Sequence, residues 1–379
     1  MSLKGIKVKI YPNQDQVQKI EQNIGNSRFV WNQMLHMWNT RYRNNPTLPT
    51  LKKYDLNILL PTLKKEYSFL KESDASSLQF VCEALHGSFV AFFKKTRRHP
   101  KFKSKKKAKA SFTMKYSHNN MLLQKNAIKL PKLGWVKARW SNNVSFDKIK
   151  RVTITRTPSG YYKASVLVES ENQVLDKTDK QIGLDMGQND LMIGSDGLRI
   201  KTRTYREYEN NLKLWQKKMS RRQRLAKANG IPLDEARNYQ KAKQMVAKYH
   251  KKIRNCRTDY FQKVTTSIVK IYDFISVEDL KVKSMLNKNN TNQNNHAIAN
   301  QSWHQLRTLF EYKCEWYDKT FIKVDPKYTS QDCSSCHERT GPKNDLSVRQ
   351  WTCSICRVRH DRDINAGQNI LNNALKLVS

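Results

Sequence analysis

Three carboxylates and four thiols are the residues of this chain whose types and spacing suit chemistry. Asp185 lies in the apolar run QIGLDMG, Glu278 near the carboxyl end of FISVEDL, and Asp363 at the head of D-x-N-A in HDRDINA. A single acid at a strand end is most often a turn residue. Three of them, far apart in sequence but similarly placed, suit one shared site. Oxygen ligands of this kind hold Mg2+, which keeps part of its water shell and takes phosphate oxygens beside one or two carboxylates. Two such ions activate a water and stabilise the leaving oxygen of a phosphodiester. The chemistry expected is metal-dependent cleavage of a nucleic acid backbone.

The thiols form two C-x-x-C pairs, Cys333/Cys336 and Cys353/Cys356, with 16 residues between the inner cysteines. That spacing fits a zinc ribbon. Each pair turns two thiolates toward one ion, and soft sulfur suits Zn2+ in a closed tetrahedron. A redox C-x-x-C would not come twice at ribbon spacing. His337 and His360 are adjacent substitutes for a ligand, but four thiolates already complete the set. A closed site does no chemistry by itself; it ties down a loop too small to fold alone.

The elements that must position these residues follow from hydrophobic period. KGIKVKIY (4–11) alternates apolar and basic and reads as a strand ended by Pro12-Asn13. Residues 14–95 are helical in pattern, with Trp31, Trp38, Tyr54 and Leu78 among the apolar positions. Residues 111–169 return to strands, with a hairpin signal at Pro158-Ser159-Gly160. After Lys180 the grammar is mixed. Short apolar strands (QIGLD, FISVE, FIKV) alternate with long basic helices over 205–272 and a further helix marked by Trp303, Leu306, Phe310, Cys314 and Tyr317. In the long helices Val246, Tyr249, Ile253, Cys256, Tyr260, Val264, Ile268 and Ile271 step by three or four, which predicts one buried face. Cys256 and Cys314 on such stripes are expected to pack as small buried hydrophobes. The Asn-rich stretch 284–301 reads as a loop.

Charge identifies the partner class. The 379 residues carry 71 Lys and Arg against 32 Asp and Glu, a net charge of +39. Such a field concentrates phosphate backbones, so nucleic acid is the expected partner. No apolar run is long enough to span a membrane and no signal-peptide core follows Met1-Ser2-Leu3-Lys4, so neither a membrane partner nor secretion is expected. The seven cysteines show no disulfide framework, which points to a cytoplasmic protein. The densest basic stretch, FFKKTRRHPKFKSKKKAK (92–109), interleaves Phe92, Phe93 and Phe102 with Lys94, Lys95, Arg97, Arg98, Lys103, Lys105, Lys106 and Lys107. Aromatics among the cations predict an ordered surface that pairs with phosphates and stacks on bases.

With these motifs in place the chain resembles TnpB, the transposon-encoded RNA-guided DNA endonucleases ancestral to type V CRISPR effectors. The resemblance runs nearly end to end, through VKIYPNQDQ, SRFVWN, FFKKTRRHPKFKSKKK, LPKLGWVK, GLDMG, VEDL, YTSQDCSSC, RQWTCSIC and HDRDINA. GLDMG, VEDL and DRDINA in this order, with the ribbon between the last two, form a highly specific set. The family implies an α/β, RuvC-like nuclease domain of RNase H type interrupted by the ribbon. Ahead of it would lie a β-barrel wedge domain carrying a helical recognition insertion. On this chain the wedge would take residues 1–12 and 111–178, the recognition helices 13–110, the nuclease domain 179–327 and 359–379, and the ribbon 328–358.

The same resemblance makes Asp185, Glu278 and Asp363 the catalytic, Mg2+-holding triad. DRDINA offers two acids; Asp363 is taken because the family's catalytic aspartate precedes x-N-A, and Asp361 is the alternative. Gln79 and Ser117, His118 and Asn119 align with contacts to target-adjacent DNA. The implied partners are a guide RNA from the transposon end and double-stranded target DNA in a prokaryotic cytoplasm, with base pairing choosing the sequence. Two other outcomes remain open: a guide-directed repressor that no longer cuts, although such proteins lose triad acids, and a DNA-strand-transfer transposase.

Overall fold

Alternation in the first ten residues does what it predicts: in β1 (Ser2–Tyr11) Val8 and Ile10 are buried while Lys7 and Lys9 face outward. The computed structural model describes residues 2–106, 108–140, 148–187, 190–280, 302–342 and 347–378; Lys107 and the Asn-rich stretch 284–301 lie outside them. The chain forms two compact units, Met1–Glu171 and Asn172–Ser379.

In the first unit β1 is a central strand, antiparallel to both β5 (Gly134–Arg139) and β7 (Tyr162–Ser170). With β2 (Ser111–Lys115), β3 (Leu122–Gln124), β4 (Ala127–Leu130) and β6 (Lys148–Arg156) it makes a seven-stranded sheet in the order β2-β6-β7-β1-β5-β4-β3. Met114, Ile128, Val136, Val152, Ile154 and Val166 fill its core. Among the described residues no pairing joins the edge strands β2 and β3.

Three helices fall between β1 and β2: α1 (Gln14–Asn44), α2 (Lys53–Glu66) and α3 (Ala75–Phe93). Asn13 starts α1 by a reciprocal capping box with Gln16, which satisfies amides that have no partner in the first turn. Trp38 stacks on Phe89 at 3.9 Å between centroids, and Leu35, Leu56, Leu78 and Leu85 close the helical core. Tyr54 is not part of it. It is 65% exposed, with the Lys53 ammonium 4.7 Å from its ring, because the buried stripe of α2 is Leu56, Leu60 and Leu63.

The second unit holds a five-stranded sheet, β8 (Gln181–Asp185), β9 (Asp190–Gly194), β10 (Arg199–Lys201), β11 (Phe274–Glu278) and β12 (Thr320–Val324), in the order β10-β9-β8-β11-β12. β8, β9 and β10 form an antiparallel meander, while β8, β11 and β12 run parallel. Parallel neighbours need long crossovers. α4 (Arg206–Ala228) and α5 (Arg237–Ile271) lie between β8–β10 and β11, and α6 (Trp303–Tyr317) precedes β12. Residues 172–178 belong with this unit: Thr178 and Asp179 donate backbone N–H groups to Asp273 at 2.6 and 2.7 Å.

The buried face of α5 differs from the predicted stripe. Ala242, Val246, Phe261, Thr265, Ile268 and Val269 are buried, Cys256 is half-buried, and Ile271 is 45% exposed. Of the predicted stripe, Val246 and Ile268 are buried and Tyr260 and Val264 pack partly buried against the core. The contact with α6 also takes in Lys313. Its ammonium is buried and donates to the Gln262 carbonyl and the Thr265 and Thr266 hydroxyls at 2.7–2.8 Å, so a polar seam runs through the α5–α6 contact. Burial pulls the Lys313 ammonium down to about 8. Cys314 is buried as expected. Among the described residues no helix is long and apolar enough to cross a membrane.

Candidate active site

Strand register brings the first two acids together. Leu184 of β8 lies opposite Val277 of β11 in parallel pairing, so Asp185 and Glu278 end adjacent strands at the same level. The third acid arrives on α7 (Arg362–Leu375), in whose first turn Asp363 sits. α7 crosses β8 where Gly183 meets Gly367, one helical turn beyond Asp363 and two residues before Asp185.

Electrostatics records the convergence. Burial, then the neighbouring Glu278 and Asp363 carboxylates, push the Asp185 carboxyl well above its ordinary range; Arg362 and the Met186 amide oppose them. Burial likewise raises Glu278, against a hydrogen bond that its Oε1 accepts from the Thr329 hydroxyl at 2.6 Å. Carboxylates held together out of water favour protonation or a cation, and an all-oxygen donor set suits a hard divalent one.

Of the two acids in DRDINA, Asp361 has other duties. Its Oδ1 accepts from the Asp363 and Ile364 amides at 3.0 and 3.1 Å as the N-cap of α7, and its Oδ2 pairs with Arg199 at 2.7 Å. Asp363 faces Arg349 instead, whose Nη1 lies 3.3 and 3.5 Å from its two oxygens. Sequence reading missed Arg349. Its only signal was a basic residue just ahead of the second cysteine pair, in a chain where bases are everywhere.

The four cysteines form one cluster, with their sulfurs all within 4.8 Å of one another. Cys333 to Cys356 and Cys336 to Cys353 are each 3.6 Å. A tetrahedron with Zn–S of about 2.3 Å has sulfurs about 3.8 Å apart, so the set fits Zn2+. The two knuckles are copies. In each the first cysteine's amide donates to a carbonyl five residues on (Glu338, Val358), and the residue after the second cysteine (His337, Arg357) has a positive φ. His360 is not in the cluster; its Nε2 lies 3.0 Å from the Cys333 sulfur and its ring against Trp351. β13 (Gln350–Thr352) and β14 (Arg359–Asp361) pair around the second knuckle and lead directly into α7.

The residues expected to meet nucleic acid lie in the first unit. Lys94, Lys95, Arg97, Arg98, Lys105 and Lys106 are exposed, as is Phe102. Lys103 differs: its ammonium stands 3.4 Å over the Trp31 ring, its backbone is bonded to Asn32, and burial lowers it to about 8. It borders a cleft of about 510 Å3 that also exposes Arg28, Phe80, Lys109 and Arg156. Gln79 is exposed on α3 between Ser76 and Glu83, both of which bond Lys115 at the end of β2. Ser117, His118 and Asn119 form the exposed turn that follows, with positive φ at His118 and Asn119. The fold thus gathers Gln79 and residues 117–119 at one junction of helix and sheet.

Comparison with known proteins follows the same divisions. Family models match residues 1–46 (Helix-turn-helix domain), 165–289 (Probable transposase) and 303–370 (Cas12f1-like, TNB domain). Within the first span the described residues form one strand and one unbroken helix. "Putative RNA-guided DNA endonuclease InsQ" of Escherichia coli (strain K12) is 30% identical over 97% of this chain and 92% of its own length. A Streptomyces pristinaespiralis protein, "Putative RNA-guided DNA endonuclease", is 28% identical over 97% of this chain and 88% of its own. The solved structure of a Cas12f1–sgRNA–target DNA complex contains a chain of similar fold. The match has a TM-score of 0.54 at 14% identity and covers 95% of this chain and 83% of that one. Likeness of this extent in sequence decides kinship: the chain belongs to the TnpB family of transposon-encoded RNA-guided DNA endonucleases.

Proposed function

We propose that this protein is an RNA-guided, Mg2+-dependent DNA endonuclease, acting on DNA matched to a guide RNA from the transposon end and lying next to a short adjacent motif. The observation that carries the reading is the convergence of Asp185, Glu278 and Asp363, in which the Glu278 and Asp363 carboxylates, after burial, push the Asp185 carboxyl up. Asp185, Glu278 and Asp363 would together hold two Mg2+ ions. Bound there, Mg2+ supplies a Lewis acid that polarises phosphoryl oxygens and makes water acidic enough to attack.

The protein's own groups do the rest. Asp363 is presented from the first turn of α7. Arg349, beside Asp363, can turn its fork to a non-bridging phosphate oxygen when the carboxylate is neutralised. The thiolate cluster holds Zn2+ and fixes the ribbon that carries Arg349. Lys94, Lys95, Arg97, Arg98, Lys105 and Lys106 neutralise RNA or DNA backbone, and Gln79 with Ser117, His118 and Asn119 meets the duplex beside the target. The setting is a prokaryotic cytoplasm. Closure of the first unit's sheet into a barrel and the RNase H character of the second belong to the same reading.

The test is guide-loaded protein, Mg2+ and a plasmid bearing the matching target beside a permitted motif. Asp185→Ala should abolish cleavage while RNA and target binding persist. A parent protein that binds the plasmid and never cuts it would instead be a guide-directed repressor.

A further inference from the structure

The first knuckle is wired to Glu278 through a short, buried polar path. Thr329 is 4% exposed, and its hydroxyl donates to Glu278 Oε1 at 2.6 Å. Its carbonyl accepts from Asn369 of α7 at 2.8 Å, and the same amide nitrogen reaches the Asp332 carbonyl at 2.7 Å. Asn365 also donates to the Asp332 carbonyl at 2.9 Å, and its Oδ1 accepts from the Ser334 amide at 2.8 Å. Cys333 is therefore gripped on both sides by α7. Asn365 and Asn369 are themselves buried; the two bonds of Thr329 are shielded from water and the three to Asp332 and Ser334 partly so.

We propose that Thr329 is a positioning residue for Glu278, and that Zn2+ at the thiolate cluster sets Thr329 through the segment 329–334. The inference rests on the reading above that Glu278 holds a divalent cation. A carboxylate at the end of a strand has free side-chain torsions unless something fixes them, and the Thr329 hydroxyl fixes Glu278 through one oxygen. The segment that carries Thr329 ends on a zinc-ligating sulfur, and turns between Tyr328 and Asp332 keep it short and stiff. An empty cluster frees Cys333, loosens the grip of Asn365 and Asn369, and lets the Thr329 hydroxyl leave Glu278. Structural zinc thereby governs how well the separate acidic site takes its own cation. Hydrogen-bond partners one step behind a metal ligand typically change affinity by about 10–100-fold.

The experiment titrates Mn2+ into full-length, zinc-loaded protein and follows free Mn2+ by electron paramagnetic resonance. Zinc content and melting temperature are measured on the same samples. Thr329→Val should keep its zinc and its melting temperature yet bind Mn2+ at least about tenfold more weakly. Thr329→Ser, which restores the hydroxyl, should bind as the parent does. Cys336→Ser, which removes a zinc ligand outside the path, should weaken Mn2+ binding in the parent but add little on top of Thr329→Val. Equal Mn2+ affinity in the parent and Thr329→Val, or a serine variant as weak as valine, would overturn the positioning role. An unchanged Mn2+ affinity in Cys336→Ser would overturn the zinc linkage. A parent that binds no Mn2+ would sink the three-acid reading, and the inference with it.

Discussion

Gly183 of β8 and Gly367 of α7 touch backbone to backbone: a methyl group on Gly183 would lie 2.1 Å from the Gly367 carbonyl oxygen. The reverse substitution fares little better, since a methyl on Gly367 would lie 2.8 Å from the Ser195 amide nitrogen. The two backbones meet at this point without a side chain between them, which leaves the crossing of strand and helix no room for one. That crossing sets the separation of Asp185 and Asp363.

Gly183→Ala should therefore damage the site without altering any acid. Relieving the clash must move α7 off β8, at an overpacking cost of about 1–3 kcal/mol. The melting temperature should fall by several degrees, about 2–4 °C per kcal/mol in a unit of this size. Cleavage should fall further than stability alone explains, which circular dichroism melts and cleavage rates on one preparation would separate.

Arg349→Ala should lower the cleavage rate by about 10²–10³-fold, the usual effect of losing one positioned donor at a reacting oxyanion. Lysine at this position should recover only part of the loss, because it lacks the planar fork. Target binding and zinc content should be unchanged. A variant that cuts at the parental rate would remove Arg349 from the machinery.

Neutralising Lys94, Lys95, Lys105 and Lys106 together should flatten the dependence of RNA affinity on salt. Each lost contact to single-stranded RNA lowers the log–log slope by about 0.7. All four are exposed, so the melting temperature should hold. An unchanged slope would mean that this surface merely faces solvent.

Asp273→Asn tests a buried pair. Lys319, with a side chain only 1% exposed, donates to Asp273 and to the Asp176 carbonyl. Burial raises the Asp273 carboxyl, but hydrogen bonds from Lys319, Thr178 and Asp179 outweigh it and hold the group down to about 2. Removing the charge strands the ammonium, at a cost of about 3 kcal/mol, the low end for such pairs because Asp273 keeps 20% of its side chain in water. The folded value lies below the unfolded one of about 3.9, so the pair's contribution is full above that pH and fades as pH falls toward 2. Denaturant unfolding at pH 7 and pH 3 should show the gap between parent and variant narrowing in acid.

Much of this was legible before any coordinates. QIGLD and FISVE read as buried strands because they are short apolar runs, and parallel pairing then had to align Asp185 with Glu278. The knuckles were legible because thiolate geometry imposes a fixed spacing. The choice of Asp363 over Asp361 came from the family's pattern; in the structure Asp361 caps a helix and pairs with Arg199, while Asp363 pairs with Arg349. Arg349 and Thr329 were invisible, since one hydrogen bond between distant residues leaves no period in a sequence. The α5 stripe was legible at Val246 and Ile268, but Lys313 within the α5–α6 contact was not, since pattern reading expects only apolar side chains there. Lys103 looked like one more cation in a basic run, and only packing on Trp31 sets it apart.

Because its acids come from β8, β11 and α7, the site cannot exist on a partly synthesised chain. The ribosome delivers Asp185 and Glu278 well before Asp363, and the contacts that join them span most of the second unit. Contacts so distant in sequence form late in folding. A nascent chain, or any fragment ending before α7, carries the whole first unit and still lacks the last acid. On the proposed reading, translation order separates the two halves of the function: the exposed cations of residues 94–106 are made first, and the third acid of the site is made after them.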